Sequence, residues 1–186
     1  MSKVIVVGGG PAGIMASISA SKQNEVILIE KNNEIGKKLK LTGGGRCNIT
    51  NNRNIEDFFD KVVNNKKFLY SSFYTFSNHD LLEYFSKNNL EYKVEYDEKV
   101  YTKSDKADEV IEVLKNDLIK NNVKVFYNTT VVDLIIEDDM VKGVKTNSGK
   151  DLYCDKVIVT TGGKSYPATG SDGSMFNILK SHGHTI

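Results

Sequence analysis

The hydrophobic positions near the start of the chain predict two buried strands. Residues Lys3–Val7 and Val26–Ile29 are apolar on both faces, which is typical of strands inside a parallel sheet. Between them, Ala12–Ser21 mixes large apolar residues with small ones, which predicts a short helix with Pro11 at its first position. The first 30 residues are therefore predicted to form a βαβ unit.

Helical and strand-like patterns follow one another in the middle of the chain. We predict a loop over Gly36–Asn52 and then two or three helices within residues 55–89, the last of them with Asn78 as its N-cap. Residues Glu91–Tyr101 alternate apolar and polar side chains, as strands do. The residues of Ala107–Lys120 have the period of an amphipathic helix.

The last part of the chain is rich in predicted strands. Val123–Tyr127 is one, and three short strands follow it with turn sequences between them: Val131–Glu137, Val141–Thr146 and Asp151–Cys154. These turns favour an antiparallel meander. Val157–Thr160 then returns to a buried strand. The order predicts an α/β fold, a Rossmann-like doubly wound sheet with a helical insert and an antiparallel three-stranded meander.

Length and charge restrict the possible functions. The chain has 186 residues, 39% of them hydrophobic, which suits about one domain whose core needs no metal or disulfide. Its 25 basic and 24 acidic residues nearly cancel, so we expect no nucleic-acid partner and no membrane surface. No apolar run is long enough for a membrane span or a signal peptide. The two cysteines form no CxxC pair, so we expect a cytoplasmic protein.

A glycine-rich turn joins the first strand to the first helix. Its pattern is Gly8-x-Gly10-x-x-Gly13, and an acidic residue, Glu30, ends the second strand. In dinucleotide-binding proteins such glycines allow a tight turn, close approach of a pyrophosphate and close helix–strand packing, while the acid accepts from a ribose hydroxyl. The pattern predicts dinucleotide binding but does not distinguish NAD from FAD. The alternative is an ordinary glycine turn, with Glu30 as a solvated strand end.

Two further glycine-rich segments are candidates for ligand contact. Thr42–Asn48 contains three consecutive glycines and Arg46, one of only two arginines in the chain. Backbone N–H groups beside a planar cation suit a phosphate or the polar edge of a flavin, although a flexible basic surface loop has the same composition. Thr160–Pro167 follows a buried strand at the carboxyl edge of the sheet, where it is either close to a ligand or an ordinary strand-ending turn.

These segments resemble those of a known family. The sequence is similar, from end to end, to the aminoacetone-oxidase-like, bile-acid-reductase-like (BaiN-type) FAD flavoproteins of bacteria. The segments that carry the resemblance are Gly8–Gly13 with Glu30, Gly36–Leu39, Thr42–Asn51, Gly162–Ser171 and Gly183–Ile186. The resemblance implies a glutathione-reductase-like FAD/NAD(P)-binding domain and an NAD(P)/FAD-dependent oxidoreductase, with NAD(P)H as a candidate electron donor.

The resemblance also implies where the cofactor lies. The pyrophosphate would be held by the first glycine turn, through Gly8, Gly10, Pro11, Ala12 and Gly13. Glu30 and Lys31 would meet the adenosine ribose, Val132 would meet the adenine through its backbone, and Gly162 and Gly163 would face the flavin. The residues expected to line the cofactor further along are Lys38, Thr42, Gly43, Gly44, Arg46, Cys47 and Asn48.

The catalytic assignment stays open. We expect a flavoprotein that acts on a small molecule, with a non-catalytic nucleotide sensor and a flavin-dependent RNA-modifying enzyme as alternatives. Cys47 is expected to pack near the cofactor rather than act as a redox thiol, since Cys154 lies on a different element; no metal ligands are expected. Because the family's chains are longer, residues 1–186 are expected to be the amino-terminal FAD-binding domain of a larger enzyme, inactive by themselves.

Overall fold

The computed structural model describes residues 1–186. The chain folds into two compact units, one made of Met1–Leu39 with Leu114–Ile186 and the other of Lys40–Val113. The strands in chain order are β1 Lys3–Val7, β2 Glu25–Ile29, β3 Thr50–Asn51, β4 Tyr92–Val94, β5 Lys99–Thr102, β6 Lys124–Phe126, β7 Val131–Glu137, β8 Met140–Thr146, β9 Asp151–Tyr153 and β10 Lys156–Val159. The α-helices are α1 Pro11–Ser21, α2 Lys37–Leu41, α3 Ile55–Phe59, α4 Tyr70–Thr75, α5 Asn78–Lys87, α6 Ala107–Lys120 and α7 Ser174–Ser181.

A parallel four-stranded sheet forms the centre of the first unit. Its order is β10-β1-β2-β6, with Val6 paired to Leu28 on one side and to Ile158 on the other. Strands β1 and β2 are the interior strands, and their side chains are buried on both faces, as is typical of a parallel sheet covered on both sides; Ile5 and Leu28 are fully buried. The predicted βαβ unit and its α/β class are thus confirmed.

The predicted meander packs on this sheet. Strands β7, β8 and β9 are antiparallel, and Leu134, Val144 and Leu152 lie opposite one another across them. These side chains join the same apolar cluster as Ile5 of the parallel sheet and Met175 of α7. The core of the first unit therefore lies between the parallel sheet, the meander and α7.

The insert, which is the second unit, is more than helical. It contains an antiparallel sheet of order β3-β5-β4 in addition to helices α3, α4 and α5. The loop predicted over Gly36–Asn52 is wrong in part, because this stretch contains α2, a 3-10 turn at Thr42–Gly45 and β3. Strand β3 has two residues, and only its pairing with β5 defines it, so hydrophobic periodicity could not show it.

The predicted N-cap of α5 is also wrong by one residue. Ser77 caps the helix: its hydroxyl accepts from the backbone N–H of Asp80, whose carboxylate accepts from the Ser77 N–H at 2.7 Å. Asn78 is instead the first helical residue, and its buried side-chain amide donates to the carbonyls of Asn51 and Arg53, both at 2.8 Å.

None of the helices combines the length and the apolar character that a membrane-spanning helix requires.

Candidate functional site

The three glycines of the turn between β1 and α1 have different steric surroundings. Gly8 has φ +107°, a left-handed conformation, and a Cβ there would lie 2.7 Å from the Thr160 carbonyl oxygen. At Gly13 a Cβ would lie 1.9 Å from the Gly8 oxygen, so a side chain would separate α1 from the turn. Around Gly10, in contrast, a Cβ would meet nothing within 4 Å. Gly10 is therefore required neither by packing nor by backbone strain.

The amino end of α1 faces this open space. Gly10 is the N-cap of the helix and supplies no side-chain hydrogen bond, and Pro11 follows at the first helical position. The first-turn N–H groups of α1 consequently have no capping side chain, and the positive end of the helix dipole is directed at the same place. Such an end attracts an anion.

The Glu30 carboxylate accepts hydrogen bonds from two backbone N–H groups and one side-chain amide. Its residue is 7% exposed. One oxygen accepts from the Gly9 N–H at 2.7 Å; the other accepts from the backbone and side-chain N–H groups of Asn32 at 2.7 and 2.6 Å. The alternative in which Glu30 is a solvated strand end is therefore wrong. Glu30 holds the end of β2 against the glycine turn, and it also lines the cavity described next.

A cavity of about 280 Å³ lies at the carboxyl end of the parallel sheet, wholly within the first unit. Ligands of doubly wound folds bind at this edge. The predicted site residues that line it are Gly8, Gly10, Pro11, Ala12, Glu30, Lys31, Lys38 and Gly162. Gly13 packs beneath the turn, Gly163 lies next to a lining residue, and half-exposed Val132 follows the lining residue Val131. The cofactor contacts proposed for these three residues stay predictions.

Several polar lining residues were missed by the sequence reasoning. They are Asn32, Thr129, Thr130, Thr169, Ser171 and Ser174. Thr129 and Thr130 follow β6 just as Glu30 follows β2, so small polar residues after a parallel strand were the signal that could have identified them. Thr169 and Ser171 belong to the connection between β10 and α7, whose course the sequence pattern does not define, and Ser174 begins α7.

The second glycine-rich segment lies in the second unit, with Thr42, Gly43, Gly44, Cys47 and Asn48. Its Arg46 is held there: the guanidinium lies 4.0 Å from the centre of the Tyr101 ring and donates to both Glu95 oxygens at 2.9 and 3.1 Å. Hydrogen bonding by Glu95 raises the pKa of Arg46. Gly43 packs on the same ring, since its Cβ would lie 2.6 Å from it. Arg46 thus ties the glycine segment to β5, and its contact with a cofactor stays a prediction.

Cys47 is fully buried in the second unit, and burial raises the pKa of its thiol. Burial likewise raises the pKa of Cys154 in the first unit. Both cysteines are free. A thiol with a raised pKa is a poor nucleophile at neutral pH, so the chemistry of both residues favours packing over redox catalysis.

Comparison with known proteins gives the fold and the family context of this cavity. Residues 2–186 match the family model described as the HI0933-like protein Rossmann domain. The chain is 32% identical over 190 residues to the 3-dehydro-bile acid delta(4,6)-reductase of Clostridium scindens, covering 100% of this chain and 45% of that protein. It is 25% identical over 185 residues to the ribosomal RNA dihydrouridine synthase of Haemophilus influenzae, covering 98% of this chain and 45% of the relative.

A solved structure shows the same fold at low identity. The 3-ketosteroid-delta4-(5alpha)-dehydrogenase of Rhodococcus jostii RHA1 superposes with a TM-score of 0.74 at 15% identity, over 99% of this chain and 55% of that one. The likeness extends through both units of the chain. The chain spans about half the length of the curated relatives it matches.

Proposed function

The chain belongs to the HI0933-like family of FAD-binding Rossmann domains, and from this we propose that its cavity binds the ADP half of FAD. The observation that carries the proposal is the open space at Gly10, in front of the uncapped amino end of α1. A diphosphate fits there, because the backbone is accessible and the helix end favours negative charge. A volume of about 280 Å³ suits part of a dinucleotide.

In this proposal, different residues contact different parts of the ligand. Gly10, Pro11 and Ala12 present the helix end to the pyrophosphate, while Glu30 orients a ribose hydroxyl at the end of β2. Gly162, which follows β10 and lines the cavity, would face the flavin. When bound, FAD supplies the hydride or electron transfer of the oxidoreductase. The chain's own residues position it and restrict its access to water.

Titration with parts of the cofactor tests the proposal. Calorimetry with ADP, FMN and FAD should show binding of ADP and FAD and none of FMN, because FMN lacks the adenosine diphosphate that the cavity recognises. Absorbance bands of flavin in the protein–FAD mixture, after removal of free ligand, provide a second measurement. Binding of FMN with no binding of ADP would contradict the assignment of this cavity.

For the substrate, we favour a small molecule over RNA. The identity to the bile-acid reductase is 32%, against 25% to the ribosomal RNA dihydrouridine synthase. The expectation that near-neutral charge excludes a nucleic-acid partner is nevertheless unsupported, because a relative of similar coverage is named for ribosomal RNA. Oxidation of NADH or NADPH by the full-length protein, with a steroid enone or with a ribosomal RNA transcript as acceptor, distinguishes the two proposals.

A further inference from the structure

The connection between β10 and α7, residues 161–173, forms one wall of the cavity and is named the strap here. Its lining residues include Thr161, Gly162 and the run Thr169–Ser171. The strap contacts the connection that leaves β2 on the other side of the cavity.

Two side chains from the connection after β2 and one from α2 hold the strap. Lys31 forms an ion pair with Asp172 at 2.7 Å between Nζ and Oδ2. The Asn32 side-chain amide donates to the Thr169 carbonyl at 3.2 Å, and the Lys38 ammonium donates to the Ser165 carbonyl at 2.7 Å. These contacts are distributed from one end of the strap to the other.

The backbone of the strap is shaped to lie close to this connection. Gly162, Tyr166, Gly170 and Gly173 all have positive φ values, between 56° and 107°. At Gly170 a Cβ would lie 2.9 Å from the Asn32 amide nitrogen. The glycine there is needed for both its left-handed conformation and its close approach. The close approach of the strap to this connection is therefore specified by the strap's own sequence.

Because two lysines hold the strap, an anion that binds these lysines would weaken the contacts of the strap. Lys31 and Lys38 both line the cavity, yet both are bonded to the strap. Asp172 is the only acidic residue in residues 161–173. Its pKa lies well below the usual range, since Lys31 and the Ser174 N–H both bond to its carboxylate, so it is charged at neutral pH. Phosphate oxygens entering the cavity would compete with this carboxylate for the same ammonium group.

We propose that Asp172 latches the strap through Lys31, and that the phosphates of an entering nucleotide displace this carboxylate and release the strap. The proposal rests on the proposed function for the ligand, although the latch itself is a property of the protein alone. Asp172 is then a positioning residue that holds the strap and lowers the affinity for the ligand. Lys31 has two successive partners, first Asp172 and then the ligand.

The first test uses the ligand-free protein. In the wild-type protein the Ser174 N–H donates a hydrogen bond to Asp172 Oδ1 at 3.0 Å. Asp172→Asn removes the charge but keeps an oxygen that can accept this bond. Amide hydrogen exchange within residues 161–173 should become faster in this variant. Glu25→Gln is the matched control, because it breaks the Glu25–Lys124 pair of 2.8 Å in the same unit but outside the cavity lining. Equal strap exchange in the two variants would overturn the latch.

The second test measures ADP binding by calorimetry. Asp172→Asn should bind ADP about two- to fivefold more tightly, the ratio that corresponds to a partly exposed ion pair. Lys31→Met should also speed strap exchange but weaken ADP binding, because it removes the ligand's partner. Unchanged or weaker binding in Asp172→Asn would contradict the competition. If the wild-type chain bound no ADP, the proposed function would fail, and strap exchange alone would decide the latch.

Discussion

The Glu30 carboxylate accepts a hydrogen bond from the backbone N–H of Gly9 at 2.7 Å, and both residues are buried. This bond joins the end of β2 to the glycine turn after β1. Because the second carboxylate oxygen is bonded to Asn32, the acid is already part of the fold in the absence of a ligand. The residue predicted to bind ribose thus also has a structural role, and substitution can separate the two.

Glu30→Ala should lower both stability and nucleotide affinity. It leaves the buried Gly9 N–H without an acceptor, which costs on the order of 1–3 kcal/mol of unfolding free energy. Loss of the ribose contact should cost a further 1.5–3 kcal/mol, roughly, in ADP binding. Denaturant unfolding measures the first effect, and calorimetry at a temperature where the variant is folded measures the second. Equal affinity losses for ADP and for its 2′,3′-dideoxy analogue would place Glu30 outside the ribose site.

The two cysteines should be unreactive in the native protein. Burial raises the pKa of both Cys47 and Cys154, so at pH 7 almost no thiolate is present, and its fraction rises only as the pH increases. A thiol-specific disulfide reagent should modify both residues in guanidinium chloride and neither, on the same timescale, in buffer. Cys154→Ser assigns the signal to one residue. Rapid native modification of Cys47 at pH 7 would instead indicate an activated thiol.

Arg46 should be needed as an arginine for the integrity of the second unit. A lysine in its place cannot both stack over the Tyr101 ring and hold two Glu95 oxygens in a fixed plane. Arg46→Lys should therefore lower the melting temperature and speed amide exchange at residues 43–45. Arg53→Lys is the matched control, since Arg53 pairs with Asp97 without a stacked ring. Similar effects of the two substitutions would indicate that Arg46 contributes no more than an ordinary surface ion pair.

The sequence could predict those elements that local patterns define. The β1–α1–β2 unit and the meander follow from apolar runs and turn residues, and the structure contains both. Strand β3 and the burial of the Glu30 carboxylate depend on partners distant in sequence, which no local pattern contains. The strap contacts have the same origin: Lys31 and Asp172 are 141 positions apart. The sequence reasoning therefore found the glycine turn of the site and Gly162 in the wall opposite it, but not the contacts that hold this wall.

Substitutions at Gly10 and Gly13 should separate ligand binding from folding. Gly10 has φ −76° and open space at its Cβ, so Gly10→Val should leave the unfolding free energy nearly unchanged. The branched side chain would stand where the pyrophosphate approaches, and ADP affinity should fall at least tenfold. Gly13→Ala should do the reverse: its Cβ would collide with the Gly8 oxygen, costing about 3 kcal/mol or more of stability. Denaturant unfolding gives the unfolding free energy of each variant, and calorimetry gives its affinity for ADP. A Gly10→Val protein that kept full ADP affinity would remove the glycine turn from the ligand site, whatever the result at Gly13.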